Sequence, residues 1–201
     1  MKPQKLTTKD IPKYTDSNNW TDPVEVHGGY SVRVEVTQDD DIGPPWEWSD
    51  GHGVVSDWTT RDRAPGERVL CQDGRSKRYY DVSASVAKAR AEGWDAPPYT
   101  GTKGERAARA VEADYQRLRR WCNNDWTWIC VGVEVSHRGE ILDTDYCGGI
   151  ESDGDYWREH AAEVANYTIE ADRAKRKAAA LAARIEKREC AYWAERDMVT
   201  A

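Results

Sequence analysis

The 201-residue chain has no phenylalanine and only two methionines, yet it carries ten tryptophans and ten tyrosines. Each of those rings brings an N–H or O–H. Such rings suit half-buried positions and contact faces, and each needs a hydrogen-bond partner once buried. No apolar run reaches 18 residues and no signal-peptide pattern opens the chain, which argues against membrane spanning and against secretion by the usual route. There is no basic excess. Lys and Arg number 29 against 36 Asp and Glu, for a net charge of −7. Neither half departs from this: residues 1–100 hold 13 basic and 17 acidic side chains, and residues 101–201 hold 16 and 19. A general nucleic-acid binder would show the opposite balance. The acidity is also too mild and too mixed to mark a DNA mimic. The cysteines, Cys71, Cys122, Cys130, Cys147 and Cys190, are odd in number and include no C-x-x-C pair. Reduced, buried thiols of a cytoplasmic protein are expected, rather than a zinc site or a disulfide framework. A P-loop, GxSxG, HExxH and a dinucleotide fingerprint are all missing, so no cofactor and no metal are expected.

What the chain has in excess is gathered in one stretch. Trp46 to Trp58 reads WEWSDGHGVVSDW, with three tryptophans, two aspartates, a histidine and two glycines close together. The simplest reading is a loop pinned to the domain by its rings, with Asp50 holding an Asp-Gly turn. A second reading makes it a binding loop, with Trp46, Trp48 and Trp58 shaping a contact surface. Asp50, His52, Asp57, Arg61 and Arg63 would then select the partner. A third makes His52 a general base or metal ligand, oriented by Asp50 or Asp57.

Around that stretch the elements follow from local patterns. Residues 1–23 are polar and proline-bearing, and read as a flexible or surface-laid arm with Tyr14 and Trp20 as tethers. Tyr30 to Thr37 alternates apolar and polar, which predicts a half-buried strand. Asp39-Asp40-Asp41 lacks the spaced ligands of a calcium loop and reads as a solvated strand end. Glu67 to Gln72 and Lys77 to Tyr80 flank Asp73-Gly74 as a hairpin. Asp81 is placed to cap a helix from Val82 to Glu92, which Gly93 ends. Thr102 and Glu105 form a capping box for a helix reaching about Cys122. Arg106, Arg109, Arg117 and Arg120 give that helix a basic side; phosphate binding there competes with a solvated face balanced by Glu112 and Asp114. Trp126 to Ser136 reads as a central strand, turned by His137-Arg138-Gly139 into a partner from Glu140 to Thr144.

The final segment predicts one long helix, capped at Ser152 or Asp153 and reaching about Arg196. At 1.5 Å per residue it is longer than a domain of this size is wide. Trp157, Ala161, Val164, Thr168, Ala171, Ala178, Ile185 and Tyr192 fall near one stripe. Beyond Asn166 the stripe is mostly alanine, so the helix either folds back, stands bare, or meets a second helix such as that of another copy. The expected fold is α+β: a mainly antiparallel sheet of four to six strands, covered by helices on one side, with a long C-terminal helix. Residues 1–23 form the arm, 24–165 the α+β domain and 166–201 the helical extension.

Three runs resemble a family of small uncharacterised proteins of tailed-phage and prophage genomes: DGHGVVSDWTTRDRAPGERVLCQDGRSKRYYDVSASVAKARAEGWDAP, RAARAVEADYQRLRRWCNNDWTW and GGIESDGDYW. The resemblance spans roughly residues 46–160 and brings no known activity, so no catalytic residue is carried over. It implies a phage accessory protein in the cytoplasm of a bacterial host. The expected function is stoichiometric binding to a host protein, for instance to block a defence system of the CRISPR or restriction type. The alternatives are a nucleic-acid-associated protein using the Arg106–Arg120 face, and a hydrolase centred on Asp50, His52 and Asp57.

Overall fold

The computed structural model describes residues 5–13 and 20–199, with side chains of the last helix described as far as Trp193. The fold is α+β with antiparallel strand pairing and a long C-terminal helix. The strands lie in two sheets rather than one. By internal packing the chain divides into two compact units. One comprises residues 1–37, 130–150 and 154–201; the other comprises 38–129 and 151–153.

The first unit is built on β1 (Val24–Val26), β2 (Tyr30–Gln38), β6 (Trp128–His137) and β7 (Glu140–Glu151), hydrogen-bonded in the order β1-β2-β6-β7. Tyr30, Val32, Val34 and Val36 are buried, as their alternation predicts, and Val131, Val133 and Val135 are buried on the neighbouring strand. Val32-Arg33-Val34-Glu35-Val36 and Val131-Gly132-Val133-Glu134-Val135, which share the pattern V-x-V-E-V, thus lie on adjacent strands. Their other faces carry cross-strand polar pairs, Ser31 with Ser136 at 2.8 Å and Arg33 with Glu134 at 3.5 Å. These pairs run antiparallel, and the Arg138 N–H continues the ladder to the Gly29 carbonyl at 2.8 Å. Arg138 and Gly139 both have positive φ (54° and 85°), the requirement of a tight two-residue hairpin turn. His137 is not a turn residue: it ends β6, buried, with its ring 4.6 Å from that of Tyr30.

Helix α4 (Tyr156–Val199) runs unbroken for 44 residues, about 66 Å at 1.5 Å per residue. It starts after Asp155, whose carbonyl accepts from the N–H groups of Arg158 and Glu159 at 3.0 and 3.2 Å. Neither Ser152 nor Asp153 caps it. Its buried residues are Trp157, Ala161, Ala162, Ala165 and Ile169. The N-terminal arm is laid on this helix. Leu6 and Asn166 exchange two hydrogen bonds of 2.9 Å, Arg158 donates to the Ile11 carbonyl, and Ile11 is fully buried. Trp20 does act as a tether, with Arg33 5.6 Å from its ring centroid, whereas Tyr14 lies outside the described residues.

The second unit holds β3 (Val54–Val55), β4 (Glu67–Asp73) and β5 (Ser76–Asp81) in the order β3-β5-β4. Helices α1 (Pro45–Trp48), α2 (Val82–Glu92) and α3 (Lys103–Cys122) complete it. Asp81 caps α2 by accepting from Ala84 N–H, Gly93 ends it at φ 77°, and Thr102 and Glu105 close a capping box on α3. Leu70, Tyr80, Ala89, Ala107, Val111, Tyr115 and Leu118 form the core.

The cysteines depart from expectation. Cys71 on β4 and Cys122 at the end of α3 are disulfide-bonded, with Cα atoms 5.4 Å apart. The helix packs on the sheet through the core residues on either side of this pair, and that packing closes a separation of 51 residues that no local spacing reveals. Closing a loop of that length stabilises a chain by roughly 2–4 kcal/mol. Thiol titration of the denatured protein should therefore gain two groups on prior reduction. The Cys71→Ala/Cys122→Ala variant should lose about that stability in urea; an unchanged thiol count would exclude the bond.

Candidate functional site

The Trp46–Trp58 stretch crosses the second unit as helix α1, a turn and strand β3. Pro45 opens α1 with its fixed φ, and Ser49 ends it, its N–H returning to the Pro45 carbonyl at 2.9 Å. The three tryptophans divide by role. Trp46 packs against the core and meets Trp121 edge-on at a centroid distance of 5.4 Å. It is an anchor, not a contact residue. Trp48 and Trp58 remain 60% and 46% exposed. The Arg78 guanidinium, from β5, lies 5.4 Å from the ring centroids of both Trp46 and Trp58 and reaches Glu47 at 3.4 Å. A cation between two indoles fixes their spacing without covering the outer face of Trp58.

His52 is placed by Asp114 of α3. The Asp114 carboxylate accepts from His52 Nδ1 at 2.6 Å through one oxygen. Through the other it accepts from the Gly53 N–H and the Tyr80 hydroxyl, both at 2.8 Å. A carboxylate only accepts, so Nδ1 carries the proton, and in the neutral ring Nε2 presents its lone pair. That lone pair meets the Ser49 hydroxyl at 3.0 Å. The Lys88 ammonium holds the His52 carbonyl at 2.9 Å, and Val54 N–H donates to Ser85 Oγ at 2.9 Å. Burial and the Asp114 charge push the Tyr80 phenol above its ordinary value, which keeps it a proton donor near neutrality.

Gly53 is required by close approach. A Cβ there would fall on the Tyr80 hydroxyl and within 2.5 Å of Ser85 Oγ. The expected partners of His52 are not its partners. Both ring nitrogens are taken by Asp114 and Ser49, so neither Asp50 nor Asp57 orients the ring; both of those side chains are exposed. Sequence reasoning missed Ser49, Tyr80, Ser85 and Asp114. For Asp114 a signal existed: it sits three residues after Val111 and four before Leu118, an acid on the apolar stripe of the helix.

The charged rim is also partly spent. Arg61 forms a paired ionic contact with Glu67, at 2.5 and 2.7 Å, and lies 4.8 Å from the Tyr79 ring centroid. Its guanidinium holds the Glu67 carboxyl down to about 2. Arg63 is exposed. The arginines of α3 are engaged within the unit. Arg106 pairs with Asp95 at 2.8 Å, Arg109 donates to the Thr100 carbonyl, and Arg117 binds Asp153 and Glu151 at 2.7 and 2.6 Å. Arg120 reaches Asp153 at 3.1 Å. The helix therefore carries no continuous row of unpartnered cations to follow a phosphate backbone. Among the described residues, no group of three or more His, Cys, Asp or Glu side chains is placed to hold a metal, and no helix is long and apolar enough to cross a membrane.

Gly53→Ala should destabilise the protein by about 2–3 kcal/mol, because neither Tyr80 nor Ser85 has room to retreat. Asp50→Ala and Asp57→Ala should each change stability by less than about 0.5 kcal/mol, as surface substitutions do. Urea unfolding followed by tryptophan fluorescence measures all three, and a tolerated Gly53→Ala would contradict the packing described.

No family model, no curated protein and no solved structure matches the chain, so the reading of the site rests on its own geometry.

Proposed function

We propose that the chain acts by stoichiometric binding to a protein of a bacterial host, as a phage accessory protein, with inhibition of a defence system as its role. The observation that carries this reading is the pair of exposed indoles, Trp48 and Trp58, on a loop fixed from beneath by Arg78, Asp114 and Tyr80. Rigid aromatics lose little entropy on contact and serve as the centres of interfaces. The net charge of −7 favours a partner with a basic face, which nucleic-acid-acting defence proteins need for their own substrates. The resemblance to phage proteins points the same way. The outer part of the surface consists of Trp48, Asp50, Asp57, Trp58 and Arg63; Trp46 and His52 act from below. The nucleic-acid alternative draws less support, since Arg106, Arg109, Arg117 and Arg120 are already paired.

The test is affinity capture from bacterial lysate, with and without nuclease, followed by binding measurements on the partner obtained. One partner should survive nuclease treatment. Trp48→Ala and Trp58→Ala should each weaken it by about 2 kcal/mol, roughly 30-fold, with the fold intact. Capture that ends with nuclease, or a partner indifferent to both substitutions, would reject the reading.

A separate observation supports self-association. Every described residue of α4 from Ala174 to Trp193 is exposed, including Leu181 and Ile185 at 58% and 48%. Ala171, Ala174, Ala178, Leu181, Ile185, Arg188 and Tyr192 are spaced alternately by three and four, the seam of a coiled coil. In a parallel pair Arg184 meets Glu189 of the second copy, and Glu170 meets Lys175, both opposite in sign. The proposed partner of this face is therefore a second, parallel copy. Light scattering should give a dimer that Leu181→Asp/Ile185→Asp converts to a monomer of unchanged fold. Leu181→Cys should cross-link to itself on oxidation. A monomer at all concentrations would reject the pairing, and a dimer without the cross-link would reject its direction.

A further inference from the structure

We infer that Ser49 is a nucleophile, activated by His52, that accepts an acyl group from small aromatic or apolar esters. The geometry is a hydrogen-bonded relay. Ser49 Oγ lies 3.0 Å from His52 Nε2, and His52 Nδ1 lies 2.6 Å from Asp114 Oδ1. This is the order of contacts by which a serine is made reactive, and it is recognised by geometry and roles rather than by sequence position. The Gly53 and Tyr80 bonds to the second oxygen hold the carboxylate in place, so Asp114 is a positioning residue that fixes the tautomer and the ring.

The hydroxyl faces a choice of acceptor. The Pro45 carbonyl is 3.2 Å away, but it already accepts the Ser49 N–H, and the imidazole nitrogen is both nearer and more basic. Ser49 is exposed, while His52 and Asp114 are largely covered, at 19% and 9% of their side chains. The relay therefore has its reactive end outward and its charge-stabilising end inward. A Cβ built at Gly51 meets nothing within 4 Å, which leaves open space two residues from the nucleophile. Trp48 next to it offers an exposed ring against which an aryl or alkyl group can rest. An open surface of this kind admits small esters without enclosing them.

The chemistry balances with no further reactant than water. Ser49 Oγ bonds to the acyl carbon as its proton moves to His52 Nε2. The bond from that carbon to the leaving oxygen breaks, and the leaving alcohol or phenol takes the proton from Nε2. The Ser49 ester is then hydrolysed by water, with His52 again as base, which returns the free serine and a carboxylic acid.

The probe is p-nitrophenyl acetate with the full chain, read by nitrophenol release and by peptide mass mapping. One acetyl group should appear on Ser49, and Ser49→Ala should remove it while leaving the fold unchanged, since its side chain is exposed. The acylation rate should fall at least about 100-fold in His52→Asn and Asp114→Asn, and added imidazole should restore part of the rate of His52→Gly. If those variants are unstable, the position of the acetyl group on the native chain decides. Acetylation confined to lysines, or an absence of a Ser49 adduct on the folded chain, would overturn the inference. Host-protein capture by Ser49→Ala should be unchanged, which separates this activity from the binding function.

Discussion

The carboxylate of Asp114 is the constraint on which the second unit depends. A largely buried charge is tolerated only when donors replace the water it has lost. Here three donors do so, from two parts of the chain: the His52 ring and the adjacent Gly53 backbone in the loop, and the Tyr80 hydroxyl on β5. One acid on α3 thus joins the tryptophan loop to β5 and to the helix layer. Loop position and ring tautomer follow from a single group, which also adds to the upward push that burial gives the Tyr80 phenol. A loop with two exposed indoles would otherwise lose its order to chain entropy. The clamp beneath it is what makes those indoles a surface rather than a mobile segment.

In the first unit the same logic acts through apolar periodicity. The alternation of β2 and β6 buries valines on one side and leaves Ser31, Arg33, Ser136 and Glu134 to pair across the strands on the other. Cross-strand pairs of this kind each contribute only about 0.2–1 kcal/mol, so the valines carry the stability and the polar pairs set the register. Helix α4 follows suit for its first turns and then loses its apolar bulk. Among the described residues Ile169 is the last buried one of the helix, Asp172 and Arg173 still reach Tyr30 and His27, and from Ala174 helix propensity with charge spacing takes over.

Much of this was legible before any coordinates. Capping residues are local devices, so Asp81, Gly93, Thr102 and Glu105 announced two helices to within a residue, and alternation announced β2. Long-range closure is not local. Nothing near Cys71 points to Cys122, and the odd number of cysteines with no C-x-x-C pair argued for thiols. The division of the strands between two sheets depends on which edges pair, and periodicity is silent on that. At the site, His52 was visible because histidine is rare and flanked by glycine. Its true partner was hidden 62 residues away in a helix face rich in charge, where an acid reads first as solvated. The apolar neighbours Val111 and Leu118 were the counter-signal. A buried acid betrays itself by the stripe it occupies rather than by its own identity.

The absence of phenylalanine ties these observations together. Each large buried ring imposes a polar condition on its surroundings; the fold meets it at four structural rings and leaves it unmet at Trp46, whose buried indole N–H has no hydrogen-bond partner among the described residues. Trp126 donates to the Arg117 carbonyl and Trp128 to that of Gly43, both at 3.0 Å, while Tyr79 donates to the Arg61 carbonyl and Tyr115 to that of Val69. These bonds tie the rings to carbonyls of a helix (Arg117), of loops (Gly43 and Arg61) and of a strand (Val69), so the rings serve as connectors as well as core. Trp48 and Trp58 have no structural reason of this kind to be exposed on the loop. Tyr99, Tyr146, Tyr156, Tyr167, Tyr192 and Trp193 are exposed as well, so exposure alone does not single out the loop. What supports the proposed binding face is that Trp48 and Trp58 lie together on a segment held by Asp114 and Arg78.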